Sequence, residues 1–333
     1  MKEPTFNWGI IGLGGIAHKF ASDLTVVKGA RLVSVASRSQ EKANQFAERY
    51  GVPKAYGTYE DLLQDPSIDA VYIATPHVLH ASNAIQVMSA GKAALVEKPF
   101  AMNSRESQKM IQTAKERGIF LMEAFWTRFH PSTRKVMEWI NEGRIGTVQT
   151  VEANFCFKAP FNPDKRIFNK ALGGGALLDI GVYPLFLSLL VLGRPQKIQA
   201  LSKIGNTGVD EITSVIMEHE NASMSIQFSS IIQTSKVDAR IYGSKGWIYM
   251  HPRWHNPTSL TWYDYDKKQY TDEGFNFVGT GYNYQVEEVH QCLSQGLFES
   301  PLMPHQFSQM LMETMDQIRQ QIGLVYPEHD HIQ

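Results

Sequence analysis

The sequence has few cysteines, no excess of charge of either sign and no long uninterrupted apolar run. Only Cys156 and Cys292 are present, which excludes a disulfide framework or a cysteine zinc cluster and indicates two reduced thiols in a cytoplasmic protein. The formal net charge of -1 argues against nucleic-acid binding through a general excess of basic residues. No apolar run approaches the roughly 20 residues of a membrane span, and we expect no signal peptide.

What is present is an ordinary globular composition. Hydrophobic residues make up 43% and charged residues 20% of the chain, which gives no indication of global disorder. At 333 residues the chain is long enough for two domains. His77 and His80 are spaced like a pair of metal ligands, but no third ligand accompanies them at metal spacing, so we expect no metal site.

The first third of the chain alternates between predicted strands and helices. This alternation predicts a doubly wound parallel sheet, in which ligands bind at the carboxyl ends of the strands. The predicted strands are residues 8–11, 31–39, 69–76, 93–99 and 119–125. After Phe125 the alternation stops, and segments with period-two patterning predict a one-sided sheet. We therefore expect a dinucleotide-binding domain over 1–126 and a second domain over 127–333.

A glycine turn follows the first predicted strand. Gly12, Gly14 and Ala17 form G-x-G-x-x-A, in which the first glycine permits a tight turn, the second lets the backbone approach a pyrophosphate and the alanine lets helix and strand pack closely. Gly15 and Ile16 would then present free N–H groups to the phosphates at a helix N-terminus. The same pattern also occurs in purely structural turns.

The end of the second predicted strand indicates which cofactor binds. About 20 residues after the glycines, where an NAD-binding protein has an acidic residue, this chain has Ser37 and Arg38, with Lys42 one turn further on. A guanidinium binds a 2′-phosphate that a carboxylate would repel. The sequence therefore favours NADP(H), with NAD(H) as the alternative.

Other strand ends supply the remaining predicted cofactor contacts. Thr75 and Pro76 end the strand at 69–76, and Lys98 ends the strand at 93–99, where the nicotinamide is expected. An unpaired buried ammonium is costly, so a lysine at this position indicates function. We also expect cofactor contacts from His80 and Glu97.

Three separated motifs resemble those of the Gfo/Idh/MocA oxidoreductase family. They are EKP at 97–99 with MEAFWTRF at 122–129, GGGALLDIGVY at 173–183 and the turn IYGSKGWI at 241–248. The combination is similar to the branch of dimeric dihydrodiol dehydrogenases and NADP-dependent D-xylose dehydrogenases. That resemblance implies a Rossmann domain and a second domain with an open, mostly antiparallel sheet. It also implies pairing of that sheet with a second copy in a homodimer or higher homo-oligomer.

The chemistry of the family implies a group that exchanges the substrate's hydroxyl proton. The resemblance places Tyr183 there, where many members of the wider family have histidine. A free phenol has a pKa of about 10 and is a poor base near neutrality, but a nearby lysine ammonium favours the phenolate. Either Tyr183 or Lys98 could move the proton. Asp179 would lie on the same helix face as Tyr183 and bind the substrate hydroxyl or orient Lys98, unless it only caps a helix.

The resemblance also implies a substrate pocket lined by Trp126, Arg128 and Phe155 together with Asp179 and Tyr183. Arg166 could hold a polar substrate or a loop. The leading hypothesis is an NADP(H)-dependent oxidoreductase that acts on a hydroxyl or carbonyl carbon of a sugar or vicinal diol. The alternatives are the same fold acting on another polyol, an inositol or an anhydro-sugar with NAD(H), and a non-catalytic nucleotide-sensing regulator.

Overall fold

In the computed structural model of the protein, which describes residues 4–330, the chain divides into two compact units. The first unit runs to Phe129 and resumes over Phe277–Gln309. The second comprises His130–Asn276 and the chain from Met310 onwards. The boundary expected between residues 126 and 127 stays a prediction, and the first three and last three residues of the predicted domains lie outside the described part.

The first unit contains a six-stranded parallel sheet. Its strands follow the order β3-β2-β1-β4-β5-β6, which is the order of a Rossmann dinucleotide-binding sheet. The strands are β1 (Phe6–Ile11), β2 (Ala30–Ala36), β3 (Lys54–Tyr56), β4 (Ala70–Ile73), β5 (Ala93–Glu97) and β6 (Leu121–Ala124). The helices between them are α1 (Gly15–Leu24), α2 (Gln40–Tyr50), α3 (Tyr59–Leu63), α4 (His80–Ser89) and α5 (Ser104–Arg117).

Strands β4, β5 and β6 are buried and largely apolar because helices cover both faces of the sheet. Every residue of β4, β5 and β6 is buried, as expected for a parallel sheet between two layers of helices. The predicted strands 31–39, 69–76 and 93–99 ran past the observed ends at Ala36, Ile73 and Glu97, and after β2 this is because a capping residue begins the next helix. Ser39 caps α2 and Asn103 caps α5, each by accepting a hydrogen bond from a backbone N–H.

The second unit contains an eight-stranded sheet in the order β14-β13-β12-β11-β7-β10-β9-β8. Among the described strands all neighbours are antiparallel except β7 and β10, which are parallel. The prediction of a parallel Rossmann sheet followed by a mostly antiparallel sheet is confirmed. The elements are α6 (Pro131–Asn141), β7 (Val148–Cys156), α7 (Val182–Leu192), β8 (Lys197–Ile204), β9 (Asp210–Glu218), β10 (Met224–Ser230), β11 (Ala239–Gly243), β12 (Gly246–Met250), β13 (Ser259–Asp264) and β14 (Gln269–Gly274).

Helix α7 packs on β7 and β10 and forms the centre of the second unit. The segment Lys170–Leu192 is long and apolar enough to span a membrane, contrary to our expectation from the sequence. However, 83% of its apolar window is buried within the structure, and the Ser188 hydroxyl accepts a hydrogen bond from the Gln227 amide at 2.7 Å. The segment Lys170–Leu192 is therefore a buried core segment of the second unit. The chain closes with α8 (Asn283–Ser294), α9 (His305–Ile322) and α10 (Pro327–Asp330).

Candidate active site

The glycine turn after β1 is shaped for close approach of backbone to backbone. Gly12 has φ +84°, and a Cβ atom there would lie 2.6 Å from the carbonyl carbon of Ala74 and from the Thr75 nitrogen. Both the backbone conformation and the space therefore require glycine. A Cβ on Gly14 or Gly15 would meet no atom within 4 Å, so the other side of the turn is open.

The N-terminus of α1 fits an anionic group. Gly14 is the N-cap residue and provides no side chain to the helix. Within residues 4–330 the N–H groups of Gly15 and Ile16 donate to no acceptor, and only the Ala17 N–H bonds back to the Gly14 carbonyl, at 3.1 Å. Free N–H groups at the positive end of a helix dipole suit a phosphate. These are the residues that would hold the cofactor's pyrophosphate.

Arg38 and Lys42 lie at the carboxyl end of β2, beside this turn in the sheet. Ser37 donates its N–H to the Tyr56 carbonyl at 3.1 Å, and Ser39 accepts from the Lys42 N–H at 3.4 Å, so the loop is held by its backbone. Both basic side chains are exposed. Neither makes an ion pair with any described residue, which leaves their charges available to a phosphate.

His80 connects the loops that follow β4 and β5. Its buried ring lies 3.0 Å from the Thr75 carbonyl through Nε2 and 2.7 Å from the Pro99 carbonyl through Nδ1. Asn83 adds a hydrogen bond to the Thr75 hydroxyl at 3.0 Å. Pro76 precedes a 3₁₀ turn over His77–Leu79. His80 therefore fixes the loop that carries Lys98, and it does so independently of any contact between His80 and the cofactor.

Two buried carboxyl groups lie beside Lys98. The Tyr72 hydroxyl donates to Glu97, whose other oxygen accepts from the Lys98 backbone N–H at 3.2 Å. Glu123 on β6 pairs in register with Val96 of β5. Burial raises the pKa of Glu123 to about 8, although the Ser308 hydroxyl, the Phe100 N–H and the charge of Lys98 oppose the shift. A carboxyl whose pKa is strongly raised by burial, beside a half-buried lysine, marks a candidate functional site.

The two predicted pocket residues of the first unit are both anchored there. Trp126 stacks on Tyr282 with ring centroids 4.7 Å apart, and Arg128 donates from Nε to the Leu302 carbonyl at 2.7 Å. Both belong to the 3₁₀ turn Trp126–Phe129 that follows β6. Residues close to the C-terminus of the chain thus hold the loop at the end of the parallel sheet.

In the second unit three rings form an aromatic cluster: Phe155 on β7, Tyr183 on α7 and His255 in the loop after β12. His255 stacks on Phe155 at a centroid distance of 4.5 Å and an interplanar angle of 12°. Tyr183 lies 5.3 Å from Phe155 and 5.5 Å from His255. Tyr183 is only 5% exposed. The structure therefore brings two predicted substrate residues together and adds an unpredicted histidine.

Asp179 lies one turn before Tyr183 and pairs with Arg166. The guanidinium donates to the Asp179 carboxylate at 2.8 Å. The segment Leu177–Gly181 is a π-helical turn that runs into α7, so Asp179 is not in the regular α-helix that the sequence pattern suggested. Pro184 then occupies the first turn of α7, where a missing N–H is tolerated. π-Helical turns like Leu177–Gly181 often mark functional sites.

Sequence reasoning missed two side chains of these surroundings, His255 and Glu123. His255 lies in a loop, and no spacing rule links it to Tyr183. Glu123 carried a signal, because a carboxylate inside the otherwise apolar strand LMEA has to be neutralised or paired when buried. No group of three or more potential metal ligands occurs in the described part of the chain.

Comparison with known proteins identifies the family. Residues 6–125 match the model described as the oxidoreductase family with an NAD-binding Rossmann fold, and residues 133–249 match the GFO/IDH/MocA C-terminal domain. The chain belongs to the Gfo/Idh/MocA oxidoreductase family. The predictions of this family and of an NAD(P)-dependent oxidoreductase are thereby confirmed.

Relatives of this Gfo/Idh/MocA protein are similar over almost their whole length. The trans-1,2-dihydrobenzene-1,2-diol dehydrogenase of Xenopus tropicalis is 38% identical over 331 residues, covering 96% of this chain and 99% of the relative. The enzyme of the same name from Xenopus laevis is 38% identical over 328 residues, with the same coverage. A 3-ketoreductase from Actinomadura kijaniata, solved with NADP and TDP-benzene, superposes with a TM-score of 0.86 at 25% identity, covering 96% of this chain and 98% of its own.

Proposed function

We propose that the chain oxidises a vicinal diol or sugar, or reduces the corresponding carbonyl compound, with NADP(H), and that Lys98 and Tyr183 handle the hydroxyl proton. The observation that carries this proposal is the polar set at the start of α7 and on the π-helical turn before it: a buried phenol within a cluster of rings, one turn after Asp179, which is paired with Arg166. A protein that only sensed a nucleotide would have no need of such a set.

The roles of the residues follow from their chemistry. When bound, the cofactor supplies the hydride acceptor or donor. The chain must then take the hydroxyl proton in oxidation and return it in reduction, which a phenol can do when a cation favours its ionised form. We assign proton exchange to Tyr183 and its electrostatic support to Lys98. Asp179, held by Arg166, would accept a hydrogen bond from a second hydroxyl of the substrate, which suits a vicinal diol.

The preference for NADP(H) rests on Arg38 and Lys42. Two exposed cations without an ion pair within the described residues, at the end of β2, provide charge for a ribose 2′-phosphate. We further propose contacts to the phosphates from Gly12, Gly14, Gly15 and Ile16. Ser37, Thr75, Pro76, His80 and Glu97 would complete the cofactor site.

The substrate class is supported by the relatives that carry the name of a dihydrobenzene diol dehydrogenase. A cyclic diol with an apolar ring would match the rings of Phe155 and His255, because aromatic surfaces pack on one another. We further propose that Trp126 and Arg128 contact the substrate.

We also propose that the protein is a cytoplasmic homo-oligomer that pairs through its second sheet. Leu201, Ile216 and Ile226 on β8, β9 and β10 are 80%, 45% and 44% exposed, and Ile216 lies directly opposite Ile226 in the ladder. Exposed apolar side chains that adjoin on one sheet face suit contact with a second copy. Both cysteines are free and buried, in keeping with a reducing compartment.

The decisive experiment measures absorbance of the reduced nicotinamide with NADP and NAD across pentoses, hexoses and cyclic vicinal diols. Tyr183→Phe and Lys98→Met should lower kcat by about 10²- to 10⁴-fold, the usual contribution of a general acid or base. The matched controls Tyr270→Phe and Lys109→Met alter exposed side chains and should retain kcat. Near-normal turnover in Tyr183→Phe would refute its role. Thermal protection by NADP(H) without turnover on any substrate would favour the sensor instead.

A further inference from the structure

Asp210, the first residue of β9, lies against the start of the segment that carries Asp179 and Tyr183. Its carboxyl is fully buried. Oδ2 accepts hydrogen bonds from the Leu177 backbone N–H and from the Thr213 hydroxyl, each at 2.7 Å. Leu177 is the first residue of the π-helical turn. A side chain from a neighbouring strand therefore supplies the acceptor that a helix start needs.

Gly175, just before this turn, makes room for that carboxyl. A Cβ on Gly175 would lie 2.2 Å from Oδ1 of Asp210, and Gly175 has φ +127°. A Cβ on Gly174 would lie 2.4 Å from the Arg166 carbonyl oxygen, and the Gly174 carbonyl accepts from the Tyr326 hydroxyl at 2.6 Å. Packing against Asp210 thus explains Gly175, and close approach of the backbone at Arg166 explains Gly174.

The surroundings of Asp210 contain few groups that could balance its charge. Burial raises its pKa to about 7, although the Thr213 hydroxyl and the N–H groups of Leu177, Asp210 itself and Ala176 favour the ionised form. Tyr326 faces it, and the charge of Asp210 adds to the burial that raises the pKa of Tyr326. Beyond Tyr326, Arg319 lies over the ring at 5.4 Å and is paired with Asp316 and Asp330.

We propose that Asp210 is a positioning residue whose buried carboxyl holds the first turn of the helical segment and thereby directs Asp179 and Tyr183. Burial outweighs the hydrogen bonds from Leu177 and Thr213 and raises the pKa of this carboxyl from its ordinary 3.8 to about 7, so the closed segment favours the protonated form, whereas opening it to water favours the carboxylate. The segment is therefore held most firmly at acid pH and loosens as the pH rises through about 7. The consequence for turnover rests on the function proposed above, whereas the consequence for the order of the segment does not.

The test is hydrogen exchange by mass spectrometry on a peptide covering residues 173–186, run beside steady-state kinetics. Asp210→Ala and Gly175→Ala should speed exchange in this peptide about tenfold, because the Leu177 N–H loses its acceptor or the acceptor is displaced. Gly193→Ala is the matched control, since this glycine follows the other end of α7 with φ +74° and a Cβ would meet no atom within 4 Å. Peptides of the first unit should not change.

Asp210→Asn keeps the shape and one acceptor but not the charge. Wild-type exchange in the peptide, corrected for the intrinsic rate, should accelerate as the pH rises from 6 towards 8, whereas exchange in Asp210→Asn should show no such dependence. The wild-type measurement decides the matter even if a variant fails to fold. In all active variants kcat should fall while the KM for NADP(H) stays the same, since the cofactor residues are untouched.

The outcomes separate the two proposals. Unchanged exchange in the Asp210 and Gly175 variants, or wild-type exchange without pH dependence, overturns the positioning role. Accelerated exchange with normal kcat leaves the positioning role standing and contradicts the catalytic assignment of Tyr183 and Asp179. Accelerated exchange together with reduced kcat supports both.

Discussion

Replacing Glu123 by glutamine should make the protein more stable, and increasingly so as the pH rises. Glu123 lies on β6 with its side chain fully buried, and within residues 4–330 neither carboxyl oxygen has a hydrogen-bond partner of good geometry. Burial disfavours the charged form, and it outweighs the nearby Ser308 hydroxyl and Phe100 N–H. Glutamine has nearly the same shape but cannot ionise.

The size of the effect follows from proton linkage. Burial moves the pKa of Glu123 from its ordinary 4.5 to about 8, so between these values the folded state binds more protons than the unfolded state. Stability therefore falls as the pH rises, by about 1.4 kcal/mol per pH unit. Between pH 4.5 and 7 the loss is on the order of 3 kcal/mol, and it levels off near 5 kcal/mol above pH 8. Glu123→Gln lacks this loss.

The assay is chemical unfolding of wild type and variant at pH 5, 6, 7 and 8, reported as the difference in unfolding free energy. Subtracting the two curves removes the contributions of other titrating groups, Asp210 among them, that both proteins share. Glu116→Gln is the matched control, because Glu116 is exposed on α5, and its difference from wild type should be flat across this range.

A flat difference for Glu123→Gln would refute the reasoning, since it would mean that the carboxyl has the same pKa folded and unfolded. A variant that becomes less stable than the wild type as the pH rises would refute the reasoning more strongly. It would show that the folded protein favours the carboxylate, and hence that a cation such as Lys98 outweighs burial.

Three further predictions concern the cofactor and the subunit contact. Gly12→Ala should lose about 2 to 5 kcal/mol of stability from left-handed strain and overpacking, and it should lose most of its affinity for NADP(H) in fluorescence titration. The control Gly91→Ala, at a glycine with φ +75° and open space around a Cβ atom, should keep that affinity. Equal affinities of the two variants would contradict our account of the turn. Arg38→Glu should lower the kcat/KM ratio of NADP over NAD about 100-fold by removing a charge-assisted bond, and an unchanged ratio would contradict the 2′-phosphate site. Leu201→Lys should shift the protein to a smaller species in analytical ultracentrifugation. The control Val26→Lys, which alters an apolar side chain of the first unit that is 47% exposed, should not. Sedimentation of Leu201→Lys identical to that of the wild type would refute the interface.

The Rossmann unit could be predicted because its signals are local. A buried strand, a glycine that the turn geometry requires and a helix beginning three residues later all lie within Phe6–Leu24. The end of α5 could also be predicted from the sequence, because it is a glycine, Gly118, in the left-handed conformation with φ +61°. Strand β3 was missed because three residues are too few to show a period.

The second unit was harder to predict where its strands carry no apolar alternation. β14 has the sequence QYTDEG and is almost entirely exposed, so nothing in its pattern distinguishes it from a loop. The period-two pattern of KVDARIYG at 236–243 also predicts a strand, but the strand begins only at Ala239, because Val237 has φ +54° and cannot continue a strand. Such interruptions depend on tertiary contacts rather than on residue type.

The local sequence also does not predict that residues 277–309 pack into the first unit. The Trp8 indole donates to His290 at 3.0 Å, and the buried Asp23 carboxylate accepts from the backbone N–H groups of Thr280 and Tyr282 at distances down to 2.7 Å. These partners are separated by more than 250 positions. Only the folded chain shows that Asp23 serves as an anchor for a distant loop.

Each unit places a fully buried carboxyl behind a residue to which we assign a role in proton handling. Glu123 lies behind Lys98, and Asp210 lies behind the segment of Tyr183 and Asp179. Burial raises the pKa of these two carboxyls to about 8 and about 7, respectively. A pH profile of turnover would therefore contain ionisations near neutrality that belong to neither Tyr183 nor Lys98. Because interacting groups titrate as a set, such a profile identifies the proton-exchanging group only when it is repeated in Glu123→Gln and Asp210→Asn.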